Sequence, residues 1–135
     1  MNKFVKPVKC GSAFTLVELM IVILVVALLA TIAIPNLLRA RVNAHDASAK
    51  AALKAVSTAL ESYATTNDRY PADTTSLLSA TPPYMHVDYF TGTHHGFTFT
   101  SSINPSTYTI TATPASANLG SGSFSVTTGG VLIEN

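Results

Sequence analysis

A chain of 135 residues is long enough for one small domain. Charged residues make up 11% and hydrophobic ones 47%, which is apolar for a soluble protein of this size. The formal net charge of +1 supplies no long-range field of the kind that gathers nucleic acid.

Residues 1–13 are short and basic, with Lys3, Lys6 and Lys9 beside Pro7 and Gly11, and do not read as folded structure. The apolar excess follows at once. From Phe14 to Ile34 the only ionisable side chain is Glu18. At about 1.5 Å of rise per helical residue the run is about 31 Å long, the thickness of a bilayer's hydrocarbon core. A soluble core helix is rarely apolar all round for so long. Residues 14–35 are therefore expected to form a membrane-spanning helix. The three lysines hold its N-terminus in the cytoplasm by the positive-inside rule, although Arg39 and Arg41 partly offset that bias. Pro35 lacks a backbone donor and clashes one turn back, so it is expected to kink the helix or end it.

Residues 36–66 read as helix again. Leu38, Val42, Ala49, Leu53, Val56, Leu60 and Tyr63 recur at spacings of three, four or seven and form one apolar stripe. Arg41, Lys50, Lys54 and Glu61 mostly lie off it, and the frequent alanines favour helix. Residues 14–66 would make one rod of about 80 Å, poor material for a compact monomer unless one end is embedded in something else.

The remainder, 67–135, opens with a break at Asn67-Asp68-Arg69-Tyr70-Pro71. Leu77-Leu78 suggests a short helical turn and Pro82-Pro83 an extended stretch. After Gly92 the period changes to two. Phe97 and Phe99 alternate with threonines, as do Tyr108, Ile110 and Ala112, then Phe124 and Val126, and Val131-Leu132-Ile133 follows. Asn-Pro, Ala-Asn-Leu-Gly and Gly-Gly separate these runs. They predict three or four antiparallel strands. So small a sheet needs a cover for its apolar face, and the stripe on 36–66 supplies it. The expected fold is α+β: a long N-terminal helix packed on a small C-terminal antiparallel sheet.

The residues Ala13-Phe14-Thr15-Leu16-Val17-Glu18-Leu19-Met20-Ile21-Val22 stand where the apolar run begins. This string resembles the N-terminal signature of type IV pilins and of the pseudopilins of type II secretion. The resemblance covers residues 9 to 66 in detail, and past that only the general plan. It implies a 1–13 leader cut between Ala13 and Phe14 by a prepilin peptidase, N-methylation of the new N-terminal Phe14, and a glutamate as the fifth mature residue, a position that falls on Glu18. The proline common near the end of the apolar segment falls on Pro35. Two positions depart from the family pattern: the residue before the cut, usually glycine, is Ala13, and the glycine often found midway along the helix is replaced by Ala27.

Glu18 also stands out without that resemblance. A carboxylate inside a membrane span costs on the order of 3 kcal/mol on insertion scales, so it is a functional candidate by default. Cleavage before Phe14 would create its counter-charge, an α-amino group, and in a fibre the glutamate of one copy meets the amine of the next. Pairing then sets the axial register between copies, with Thr15 adding a hydrogen bond.

On this reading the partners are copies of the same chain in a helical filament, the peptidase, and the assembly platform and ATPase that the family implies. The chain would sit in the inner membrane with a single pass, then at the cell surface in a filament serving adhesion, twitching motility or DNA uptake. No enzyme activity and no cofactor is expected. His94-His95, with His86 and Asp88 nearby, read as a solvated loop rather than a metal site, because adjacent strand residues point to opposite faces. Asp88 and Glu134 are too few acids for calcium. Cys10 precedes the span, so the exported part can form no disulfide. Two alternatives stay open. One is a type II secretion pseudopilin, disfavoured by the absence of tryptophan. The other is a Sec-exported periplasmic binding protein whose signal is cut after Thr31-Ile32-Ala33.

Overall fold

The computed structural model describes residues 14–135. The expected leader 1–13, with Cys10, the three lysines and Ala13, lies outside the described residues. The chain divides into two units, Met1–Leu37 and Leu38–Asn135. One helix, α1 (Leu16–Asn67), contributes to both.

In the first unit α1 is bare. Phe14 is 76% exposed, and every large apolar side chain from Leu16 to Leu37 is also exposed. Among the described residues α1 alone carries a window apolar enough to span a membrane, with a mean hydropathy of 3.0 and none of it buried. Pro35 does not end the helix, which was one of its two expected effects. A proline inside a helix removes one backbone bond and crowds the carbonyl one turn back, but the turns on either side keep their own bonds and carry α1 past it.

The second unit takes the remainder of α1, a short helix α2 (Thr75–Ser79), and four strands. These are β1 (Phe97–Ile103), β2 (Tyr108–Pro114), β3 (Phe124–Thr127) and β4 (Val131–Glu134), antiparallel in the order β1-β2-β3-β4. The registers Phe99↔Ala112, Ile110↔Val126 and Phe124↔Glu134 bring the alternating residues of β1, β2 and β3 onto one face. Threonines and serines occupy the other. The β3–β4 turn places Gly129 and Gly130 at φ of 82° and 74°, a region that side chains beyond glycine disfavour.

The core forms where that face meets α1. Ala49, Ala52, Leu53, Val56, Ala59 and Leu60 are buried against Phe97, Phe99, Tyr108, Ile110, Ala112, Phe124 and Val126. Leu77 of α2 and Met85 close one end. Small alanines on α1 leave room for the aromatic side chains of the sheet. Each fully buried Leu or Phe contributes about 1.5–3 kcal/mol.

The apolar stripe is thus covered from Ala49 onward. Leu38, at the start of the predicted stripe, is 57% exposed, and Val42 is half-buried. The reason is reach: that turn of α1 faces only the β2–β3 loop at Ala117, Asn118 and Leu119. At the far edge of the sheet, β4 is exposed along its length.

Candidate assembly site

The residues Thr15-Leu16-Val17-Glu18 begin α1 with a reciprocal cap. The Thr15 hydroxyl accepts from the Glu18 backbone N–H at 3.2 Å. In return Glu18 Oε2 accepts from the Thr15 N–H at 3.0 Å and from the Thr15 hydroxyl at 2.9 Å. A threonine followed three residues later by a glutamate is a capping box, and it satisfies donors that the first helical turn leaves without partners. The negative side chain also lies where the helix dipole favours it. The carboxylate is therefore held at the N-terminal end of the helix through one oxygen. Glu18 Oε1 accepts no hydrogen bond among the described residues. The sequence carried this signal, and reading Thr15 only as an added donor missed its reciprocity.

Phe14 precedes the cap and is exposed. Pro35 is four turns and more along the same helix, in its interior, and nothing brings it near Glu18. Between them Thr31 returns its hydroxyl to the Ala27 carbonyl at 2.9 Å, so this polar side chain makes no demand on its surroundings. The site is thus a cylinder of apolar side chains with one carboxylate near its end. Its chemistry is association: it offers a surface that water solvates poorly and a charge that needs a partner.

A second carboxylate, Glu61, holds the globular unit together and was passed over because the helical pattern put it off the stripe. Its Oε1 accepts from the Tyr108 hydroxyl at 3.0 Å and from the Gly129 N–H at 2.8 Å. The Tyr70 hydroxyl reaches both carboxylate oxygens at 3.1–3.2 Å. One α1 side chain thereby ties the segment after the helix, strand β2 and the β3–β4 turn. Ser57 joins through its hydroxyl, 2.9 Å from that of Tyr108. Burial, and then the hydrogen bond to Glu61, pushes the Tyr70 hydroxyl up to about 12. Burial also raises Tyr108, against the opposing bond from Ser57. Asp46, buried on α1, accepts from the Ser121 N–H at 3.1 Å and pins the β2–β3 loop.

The histidine loop is placed differently from a chelate. His94 is half-buried, with its ring 5.6 Å from that of Tyr89, while His95 is exposed in a left-handed conformation at φ 53°. The Thr91 hydroxyl and then the Phe90 N–H hold the Asp88 carboxyl below its ordinary value. Among the described residues no three His, Cys, Asp or Glu side chains gather in a metal-binding group.

Comparison with known proteins bears on both units. A family model described as type IV minor pilin ComP, DNA uptake sequence receptor, matches residues 39–124. A model of the prokaryotic N-terminal methylation motif matches residues 9–34. The chain is 32% identical over 108 residues to the type IV wide pilus major component PilA4 of Thermus thermophilus, covering 77% of this chain and 82% of that protein. It is 46% identical over 60 residues to the type IV major pilin protein PilA of Myxococcus xanthus, covering 44% of this chain and only 27% of that protein's length. It is 38% identical over 60 residues to the type II secretion system core protein G of Aeromonas hydrophila, 44% of this chain and 42% of that protein.

Proposed function

The chain belongs to the type IV pilin and pseudopilin family, whose members are structural, non-catalytic subunits of filaments, and from that premise we propose that it is a subunit of a type IV pilus. The leader 1–13 is removed between Ala13 and Phe14, and Phe14 is N-methylated. Residues 14–35 anchor the chain in the inner membrane and then pack against copies of themselves. Residues 36–66 carry the sheet of 67–135. A prepilin peptidase, an assembly platform and an ATPase act on it in turn.

The observation that carries this reading is the bare helix with its capped carboxylate. Thr15 holds Glu18 by Oε2, which leaves Oε1 for the amine of a neighbouring Phe14. Lipid and filament core both exclude water, so an unmatched Glu18 is penalised in either. A copy that enters the bundle at the wrong height leaves its glutamate unmatched, and the register follows. Pro35 is where the helix yields most readily during packing, since it lacks one backbone bond.

The pilus is favoured over the secretion pseudopilus by the extent of likeness. A 108-residue alignment is longer than all of the chain up to Asn67, so the Thermus pilus component resembles the globular unit as well as the helix. The secretion protein aligns over 60 residues. The DNA-receptor role named in the family model's description is not favoured by charge: from Leu38 on, five Lys and Arg stand against six Asp and Glu, whereas DNA affinity rests on neutralising phosphates.

The test is Glu18→Ala, assayed for insertion and for sheared surface filaments. Insertion unchanged with filaments lost or disordered is the expected result; normal filaments would remove the register mechanism. Mass spectrometry of the mature N-terminus separates the alternatives. Methyl-phenylalanine at Phe14 fits a pilin or pseudopilin, and Ile34 as the first residue would mean ordinary export.

A further inference from the structure

The cations of the described chain are segregated. Arg39, Arg41, Lys50 and Lys54 lie on α1 and Arg69 just beyond it, and no Lys or Arg occurs from Tyr70 to Asn135. Arg39 and Arg41 make no ion pair among the described residues. Both line a groove of about 650 Å³ within the second unit, between α1 and the β2–β3 loop. Leu38, Val42 and Leu119 wall it, the amide side chains of Asn43 and Asn118 also line it, and no carboxylate does. Leu38 and Val42 are the stripe residues that the chain's own sheet leaves uncovered.

The second feature is β4. Val131, Leu132 and Ile133 are 57%, 40% and 42% exposed. Together with Leu38 they make up the large apolar side chains exposed in the second unit, except for Val87. As the edge of the sheet, β4 has one side without a strand. Asn135 donates to the Ser123 carbonyl at 2.9 Å, so the alternate residues Leu132 and Glu134 turn their backbone N–H and C=O away from β3. The Glu134 side chain is 63% exposed and pairs with Lys50 through Oε1, which leaves Oε2 outward.

We propose that the groove of one copy receives the β4 edge of a second copy. The two surfaces match in three respects. Apolar walls meet the exposed Val131-Leu132-Ile133, so that a strand covers Leu38 and Val42 as the chain's own strands cover the stripe from Ala49 onward. The amides of Asn43 and Asn118 offer donors and acceptors to the backbone groups that an edge strand leaves without partners. A cationic groove without carboxylates meets the Glu134 carboxylate, and one guanidinium suffices for that pair. Groove and edge are different patches of the same chain, so the contact is head to tail: each copy gives one edge and takes one, and repetition extends an assembly. The proposal rests on the filament reading for the setting in which copies meet, and it adds a contact between globular units to the packing of residues 14–35.

The test is cross-linking of the full chain in the cells that make it, with Cys10→Ser as background and the pair Leu38→Cys and Leu132→Cys added. A short bis-maleimide is applied to membranes and to sheared filaments, and the products are separated under denaturing conditions. A ladder of dimers, trimers and longer species is expected. Leu38→Cys with Thr98→Cys, on the other edge strand, should give no ladder. Adding Arg39→Glu with Arg41→Glu should lower the cross-linked fraction by about tenfold, while Arg69→Glu, outside the groove, should leave it unchanged. The near-ultraviolet dichroism of the tyrosines reports that the sheet is intact in each variant. Filaments without a ladder would overturn the proposal, as would an equal ladder from the control pair or an undiminished one in the arginine double variant. A ladder in membranes of cells that make no filaments would support the contact and remove the pilus reading, and the absence of both ladder and filaments would remove both.

Discussion

Replacing Glu61 by alanine should loosen the globular unit more than any other single change on the exposed side of α1. The carboxylate accepts from the Tyr70 hydroxyl, the Tyr108 hydroxyl and the Gly129 N–H. Hydrogen bonds to a charged group contribute about 1.5–3 kcal/mol each. The loss is smaller than their sum, because Tyr108 keeps Ser57 and Gly129 is exposed to water. A net loss of about 2–4 kcal/mol is expected. For a unit of this size each kcal/mol moves Tm by roughly 4–8 °C, so the fall should be on the order of 10–25 °C. The assay is thermal unfolding of the full chain in detergent micelles, followed by tyrosine dichroism. Tyr70→Phe alone should lose about 1 kcal/mol, and the double variant should fall short of additivity. A Tm within about 5 °C of wild type for Glu61→Ala would mean that water replaces the carboxylate and that the three segments are held by the core alone.

Leu53→Ala, at a fully buried position facing the sheet, should destabilise the unit by about 2–5 kcal/mol. Leu24→Ala, on the bare part of α1 where the side chain is 61% exposed, should leave that melting unchanged and reduce filament yield instead. Gly120→Ala should lose about 1–3 kcal/mol by overpacking, since a Cβ there would lie 2.4 Å from Phe97 Cζ and 3.0 Å from Pro114 Cβ. Alkali should act through the two tyrosines bound to Glu61. Their folded values are raised, Tyr70 from 10.0 to about 12. Between those values the unfolded chain has lost the proton that the folded one keeps. Their contribution is therefore complete below the unfolded value and disappears as pH rises through the folded one. Ultraviolet titration of tyrosinate alongside Tm checks it, and a Tyr70 that ionises near 10 would refute it.

The periodicities were informative because burial imposed them. Alternation in Phe97-Thr98-Phe99-Thr100 and in Tyr108 to Ala112 located β1 and β2, and the spacing from Ala49 to Leu60 located the covered face of α1. The apolar run of 14–34 was legible for the same reason, as a surface meant for a medium other than water. Polar residues that serve one specific partner leave no period. Asp46 meets a backbone N–H of Ser121, and Glu61 meets tyrosines 9 and 47 positions away. Both pairings exist only once the chain is folded. A usable hint was present in Tyr70 and Tyr108, whose hydroxyls require acceptors when the rings are packed away. Leu38 and Val42 fit the stripe by spacing, yet the sheet stops short of them; sequence period gives the side of a helix that is apolar, not how far its cover extends.

The uneven placement of lysine and arginine also decides how the molecule meets a protease. Trypsin has a recognition point at Arg69, exposed beside the left-handed Asp68, and none from Tyr70 to Asn135. A cut there severs the sheet from its helix in covalent terms only. Tyr70, the new first residue of the fragment, is still gripped by Glu61 across the nick, and the two pieces should travel together until a denaturant parts them.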